Sequence, residues 1–154
     1  MAFPKAVVLL LGLFLVAPTY AQSQSKEQEV RAALDQWNDR ASHADLDGVM
    51  QLFDDSGEVL LVGSDSGEIF RGKSEIRGWL GGLLSHNKFS WDLSKTVIGL
   101  DGNTAWVFVD GAMTVADDKG GVSQTPYRFS GVLVKRQNAW KWHLFHGSVP
   151  GHEQ

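Results

Sequence analysis

Beyond residue 87 the chain is four β-like runs separated by tight-turn signals, and this constrains its fold more than any other feature. Residues 88–100, 103–116, 124–135 and 139–149 are rich in Val, Ile, Thr, Phe and Trp. Between them lie Asp101-Gly102, Asp117-Asp118-Lys119-Gly120-Gly121 and Gln137-Asn138, residue types that reverse a chain at little cost. Four consecutive strands joined this way make an antiparallel meander. A sheet of that length twists and curls, and at least one face must be covered.

The cover comes from the first half. Val30, Ala33, Leu34, Trp37 and Ala41 recur at helical spacing, with charged residues on the other side, so 26–41 reads as an amphipathic helix. His43-Ala44 is a short link, Asp45 can cap a second helix carrying Leu46, Val49, Met50 and Phe53, and the two pack as a hairpin. Residues 58–62 and 68–70 flank the turn Gly63-Ser64-Asp65-Ser66-Gly67 and form a short β-hairpin. Ser74 can cap a third helix bearing Ile76, Trp79, Leu80, Leu83 and Leu84, which Gly78, Gly81 and Gly82 should loosen, with fraying near Gly81. The expected class is α+β: three helices on a strongly curved antiparallel sheet, a cone with a cavity at its open end. Both faces of the strand over 103–116 are apolar, because Val107, Val109 and Met113 alternate with Trp106 and Phe108. Helices can cover one face only, so a homodimer through the outer sheet face would complete the structure.

The N-terminus reads differently. Lys5, the unbroken apolar run 6–16, Pro18 and the small residues Thr19 and Ala21 predict a secretory signal over 1–21, cleaved after Ala21, leaving a single domain over 22–154. The apolar run is well short of the roughly 20 residues that span a bilayer, so a membrane anchor is not expected. A secreted or periplasmic location follows. With no cysteine, disulfides, thiolate metal sites and a cysteine nucleophile are all excluded. The net charge of −4 and the lack of a basic cluster argue against nucleic acid or an anionic membrane as partner.

Within the last hairpin, strict alternation from Trp140 puts Trp142, Leu144, His146 and Ser148 on one face. A tight turn at 136–139 would bring Arg128 and Ser130 close to His146 and Leu144. A guanidinium, a hydroxyl and an imidazole would then share one wall. Such a wall could hold a small anion or carbonyl, with His146 as donor or general acid/base. Equally, these groups could satisfy one another at strand ends. Trp37, Trp79 and Trp142 are expected pocket walls. Asp110 sits among apolar residues and needs a cation, Arg128 or another across the sheet; a general-base role is its other reading. Asp65 and Glu68 flank a turn, where solvation and capping account for them, although they could face a pocket mouth or a cation. His143 and His146 lie on opposite faces of a regular strand, so they cannot chelate, and no metal or cofactor is expected.

Several of these residues together resemble a known family. Trp37 closing the first helix, the Asp45-Leu46-Asp47 restart, Leu52-Phe53-Asp54-Asp55, Val62-Gly63-Ser64-Asp65, Gly72-Lys73-Ser74-Glu75-Ile76, Arg128-Phe129-Ser130, and Trp140, His146, Ser148 and Pro150 look like SnoaL-like members of the nuclear transport factor 2 (NTF2)-like superfamily. The similarity spans the chain beyond the leader, and its nearest branch resembles the association domain of calcium/calmodulin-dependent kinase II. It implies the cone fold and leaves three functional readings open: a binder of a small, partly apolar molecule, a lyase or isomerase using His146, and a non-catalytic assembly module. Ketosteroid isomerases of the superfamily use a tyrosine and two aspartates. The resemblance puts Trp37 at the tyrosine, Leu60 or a neighbour at the base and Ser130 at the second acid, so all three roles are unfilled and that chemistry is not expected here. Leu60 would instead be a pocket residue.

Overall fold

The computed structural model describes residues 17–151, with side chains from Gln22 onward. Most of the expected leader, and His152, lie outside the described residues. Helix α1 (Ala17–Ser42) buries Val30, Ala33, Leu34, Trp37 and Ala41, the stripe its periodicity predicts. Helix α2 (Leu46–Gln51) is capped by Asp45, whose Oδ1 accepts the Gly48 N–H at 2.9 Å. Strands β1 (Leu60–Val62) and β2 (Ile69–Arg71) form the short hairpin.

Helix α3 (Gly72–Leu84) differs from expectation at both ends. It starts two residues ahead of Ser74, and the Glu75 carboxylate, not a serine hydroxyl, accepts the Arg71 N–H at 2.8 Å. Nor does it fray at Gly81. A Cβ there would meet the Leu46 side chain at 3.4 Å, an ordinary contact, so Gly81 faces α2 without being required by it.

The sheet has seven strands, in the order β2-β1-β7-β6-β5-β3, with β4 pairing to β5 beside β3. The run expected over 88–100 is two strands, β3 (Asn87–Trp91) and β4 (Thr96–Asp101), each paired with its own part of β5 (Thr104–Asp117). Asp92-Leu93-Ser94-Lys95 loops out between them: Asp92 Oδ1 accepts the Ser94 N–H, and Thr96 Oγ1 donates to the Leu93 carbonyl. Gly111 makes room, since a Cβ there would lie 2.5 Å from the Asp92 carbonyl oxygen. Strand β6 (Val122–Arg136) pairs with β5 and with β7 (Ala139–Ser148). Among the described residues all ladders are antiparallel save β1–β7, which is parallel, so the sheet is mixed.

A β-bulge decides which way the last strand faces. Near the turn the pairs are Arg136↔Ala139, Lys135↔Trp140 and Leu133↔Trp142; beyond Val132/Leu133 they become Val132↔Leu144, Ser130↔His146 and Arg128↔Ser148. His143 is the extra residue, and it shifts parity. Trp140 and Trp142 point into the core, and after the bulge the inward residues are Phe145 and Gly147. Leu144, His146 and Ser148 go to the outer face.

The bulge is held from outside the strand. Trp142 N–H donates to the Leu52 carbonyl at 2.8 Å, and Asp54 N–H donates to the Trp142 carbonyl at 2.8 Å, clamping the segment after α2 alongside β7. Asp54, only 3% exposed, accepts from Arg136 Nε (3.0 Å) and Nη2 (2.9 Å) and from Ser56 Oγ (2.8 Å), and its Oδ2 lies 3.2 Å from His143 Nδ1. A buried carboxylate is tolerable only with this many partners. Arg136 holds its carboxyl well below the usual carboxylate range, with Ser56 and His143 adding to the effect against the opposing pull of burial.

Candidate functional site

A cavity of about 190 Å³ lies between the helices and the inner sheet face. Ala41 of α1, Val49 of α2, and Leu80, Leu83 and Leu84 of α3 close it from the helix side. The sheet contributes Phe89, Trp91, Met113 and Phe145, whose alternation on β3, β5 and β7 brings them to one face. Trp79 completes the wall, stacked on Phe70 with ring centroids 4.8 Å apart. The body of the cavity is therefore apolar and largely aromatic.

Its polar residues are Tyr127, Ser64, Asp65 and Glu68. The Tyr127 ring, 6% exposed, is admitted by Gly147 on the neighbouring strand, where a Cβ would stand 1.8 Å from the phenol oxygen. Burial pushes the Tyr127 phenol up, the negative charges of Glu68 and Asp65 push it further, and a hydrogen bond with Ser64 opposes them. At pH 7 the phenol is neutral and available as a donor. Glu68 folds across Gly63, where a Cβ would fall 2.0 Å from Oε2, and that oxygen accepts the Asp65 N–H at 3.0 Å. The β1–β2 turn thus carries both carboxylates to the cavity.

Behind the cavity wall, Trp37 packs against Trp91 (5.6 Å between ring centroids), Phe145 (5.4 Å), Phe53 (5.7 Å) and Trp142 (5.8 Å). The indole N–H groups of Trp37, Trp91 and Trp142 are buried without an acceptor. Trp91 is the one of these three that lines the cavity.

The expected site residues separate into two groups. Trp79 lines the cavity, while Trp37 and Trp142 stand behind it in the core. The polar wall of Arg128, Ser130 and His146 is on the other side of the sheet. Ser130 is paired with His146 and Arg128 with Ser148, not Arg128 with His146 and Ser130 with Leu144 as the tight turn predicts, because the bulge shifts the register. Since Tyr127, Phe129 and Gly131 point inward, Arg128 and Ser130 point outward, and the bulge sends His146 with them. Arg128 Nε donates to Asp110 Oδ1 at 2.8 Å, the pairing expected for that carboxylate, and Arg128 is the main cause holding Asp110 below the usual carboxylate range. Leu60, paired with Leu144, shares the outer face. Neither His146 nor Asp110 meets the cavity.

That outer face is apolar at its centre. Trp106, 53% exposed, lies across Gly99, where a Cβ would be 2.0 Å from its ring, and Trp106, Val132, Leu144 and Leu60 form one cross-strand row. Val97, Phe108, Ser130 and His146 form the next, and Asp110, Arg128 and Ser148 the third. Among the described residues no cluster of three or more His, Asp or Glu side chains could hold a metal ion, and no helix is long and apolar enough to cross a membrane.

Sequence reasoning missed Tyr127. Its signal was available, because it is two residues from Phe129 and so on the inner face, opposite to Arg128 in parity.

Comparison with known proteins agrees with this architecture. A family model described as a SnoaL-like domain matches residues 30–152. No curated protein sequence matches significantly. Among solved structures, an NTF2-like superfamily protein from Salmonella enterica serovar Typhimurium LT2 is 24% identical with a TM-score of 0.74, over 86% of this chain and 96% of that one. A candidate calcium/calmodulin dependent protein kinase II association domain from Xanthomonas campestris is 22% identical (TM-score 0.70, covering 81% of this chain and 88% of that one). A ketosteroid isomerase-like protein from Erwinia carotovora atroseptica is 18% identical (TM-score 0.65, covering 81% and 96%). At these identities the likeness is one of fold.

Proposed function

Because the chain belongs to the SnoaL-like domain family, in which one fold serves many chemistries, we propose a function from its own cavity: it binds a small, mostly apolar molecule between α3 and the inner sheet face. The observation that carries this is the cavity's aromatic and leucine wall with a few polar groups gathered at the β1–β2 turn. Its volume, about 190 Å³, exceeds the engineered cavity of roughly 150 Å³ known to take up benzene. One ring with a short substituent is the size that fits. In this reading the protein acts in a secreted or periplasmic compartment, and Trp79, Trp91 and Tyr127 are the contacts that matter.

Thermal shift with a panel of single-ring compounds tests it. A ligand at about 100 times its Kd stabilises by roughly 2.7 kcal/mol, a readily measured rise in Tm. Trp79→Ala should abolish that rise and Arg128→Ala should leave it intact. If no compound raises Tm, or if Arg128→Ala removes the effect as fully as Trp79→Ala, the cavity is not the binding site.

The exposed Trp106, Val97 and Phe108 favour a second, compatible reading: a homodimer formed through the outer sheet face, with the Arg128–Asp110 pair beside the apolar centre. Light scattering at micromolar concentration should give twice the chain mass, and Trp106→Glu should halve it. A monomer at all concentrations would exclude the dimer.

A further inference from the structure

The charge at the cavity mouth is of one sign. Of the residues lining it, the charged ones are Asp65 and Glu68, and no Lys, Arg or His is among them. Among the described residues neither carboxylate forms an ion pair. The Glu68 side chain is positioned by Gly63 and the Asp65 N–H through one oxygen, which leaves its other oxygen without a protein partner. An anionic ligand entering here would be desolvated against two negative charges with no compensating cation. A cationic one would meet both carboxylates and the faces of Trp79, Trp91, Phe89 and Tyr127, whose ring quadrupoles attract positive charge.

We propose that the ligand of this cavity is an organic cation: a single ring bearing a short alkylammonium arm, with the ring among the leucines and aromatic side chains and the ammonium at Asp65, Glu68 and the Tyr127 oxygen. The inference rests on the cavity-binding reading above and specifies its chemistry. It reverses the polarity the sequence suggests, where Arg128 makes an anion or carbonyl the natural guest. Arg128 faces the opposite side of the sheet, so its charge does not set the cavity's preference.

Three probes of matched size decide the matter: 2-phenylethylammonium, 2-phenylethanol and phenylacetate, titrated at pH 7 and followed by quenching of tryptophan fluorescence, with calorimetry to confirm. The ammonium should bind about tenfold tighter than the alcohol, and phenylacetate more weakly than both. Glu68→Gln combined with Asp65→Asn should bring the ammonium down to the alcohol's affinity while leaving the alcohol unchanged, which also shows that the cavity is intact. Phenylacetate binding as well as the ammonium, or an ammonium preference that survives the double substitution, overturns the proposal while alcohol binding keeps the cavity reading. If none of the three binds, both fall.

Discussion

Replacing Asp54 by Asn should cost this protein about 2–3 kcal/mol, and the size follows from what the carboxylate holds. It accepts two bonds from Arg136 and one from Ser56, with His143 Nδ1 within reach, while being 3% exposed. Asn keeps one acceptor oxygen and turns an NH₂ toward groups that were donating, so half of the site changes from attraction to donor against donor. A bond to a charged group is worth about 1.5–3 kcal/mol, and the lower end applies because Arg136 is 53% exposed and can rehydrate. A buried amide left poorly paired adds about 1 kcal/mol. At roughly 4 °C per kcal/mol for a chain of this size, Tm should fall by roughly 8–12 °C. The folded carboxyl titrates below its ordinary value of 3.8, so the native state holds fewer protons than the unfolded chain in that range. Its contribution is complete above the ordinary value and is lost as pH falls through the lowered one. Urea unfolding should therefore show a constant gap between parent and variant from pH 8 to about 5, narrowing by about 1 kcal/mol at pH 3. A gap below about 0.5 kcal/mol at pH 7, or one equally wide at pH 3, would refute the assignment of Asp54 as a charged anchor.

Gly147→Ala places a methyl 1.8 Å from the Tyr127 oxygen, so the phenol must move; a loss of about 1–3 kcal/mol is expected in urea unfolding, with weaker retention of any cavity ligand. Tyr127→Phe in the Gly147→Ala background should recover part of that stability, because the nearest clashing atom is gone while the ring carbon at 2.7 Å remains; no recovery would refute the hydroxyl as the main clash. Intact mass of protein taken from its own host should correspond to a chain beginning at Gln22 if the leader is cleaved after Ala21; a mass including residues 1–21 would refute cleavage.

Much of the fold was legible because it follows from local pattern. The α1 stripe, the Asp45 cap and the turns at Gly102 and Gly120, both with positive φ, are sequence features that the structure repeats. The Arg128–Asp110 pair was likewise legible, because a mid-strand carboxylate needs a cation across the sheet. What escaped was parity. Alternation counted from Trp140 carries His146 inward, and only the clamp of Leu52 and Asp54 onto Trp142, contacts some 90 residues apart, inserts the extra residue that turns it outward. The cavity's polar end was legible only in part: Asp65 and Glu68 stood as candidates for a pocket mouth, but Ser64 and Tyr127 did not. Ser64, Asp65 and Glu68 are ordinary turn residues by composition, and Tyr127 meets them only because β1 lies beside β7 in parallel, a pairing between distant segments.

The bulge at His143 works like a reading frame in three dimensions. Residues before it and after it on the same strand are spelled in opposite phase, so each side chain beyond it owes its address to one inserted residue and not to its own chemistry. Deleting that residue would leave every later residue's identity untouched and exchange the two faces: His146 and Ser148 would enter the apolar interior while Phe145 left it. Homologous chains that differ by a single residue at this point would thus present different chemistry in the cavity from nearly the same sequence, and an alignment that placed the gap a few positions away would compare outer-face residues with cavity residues.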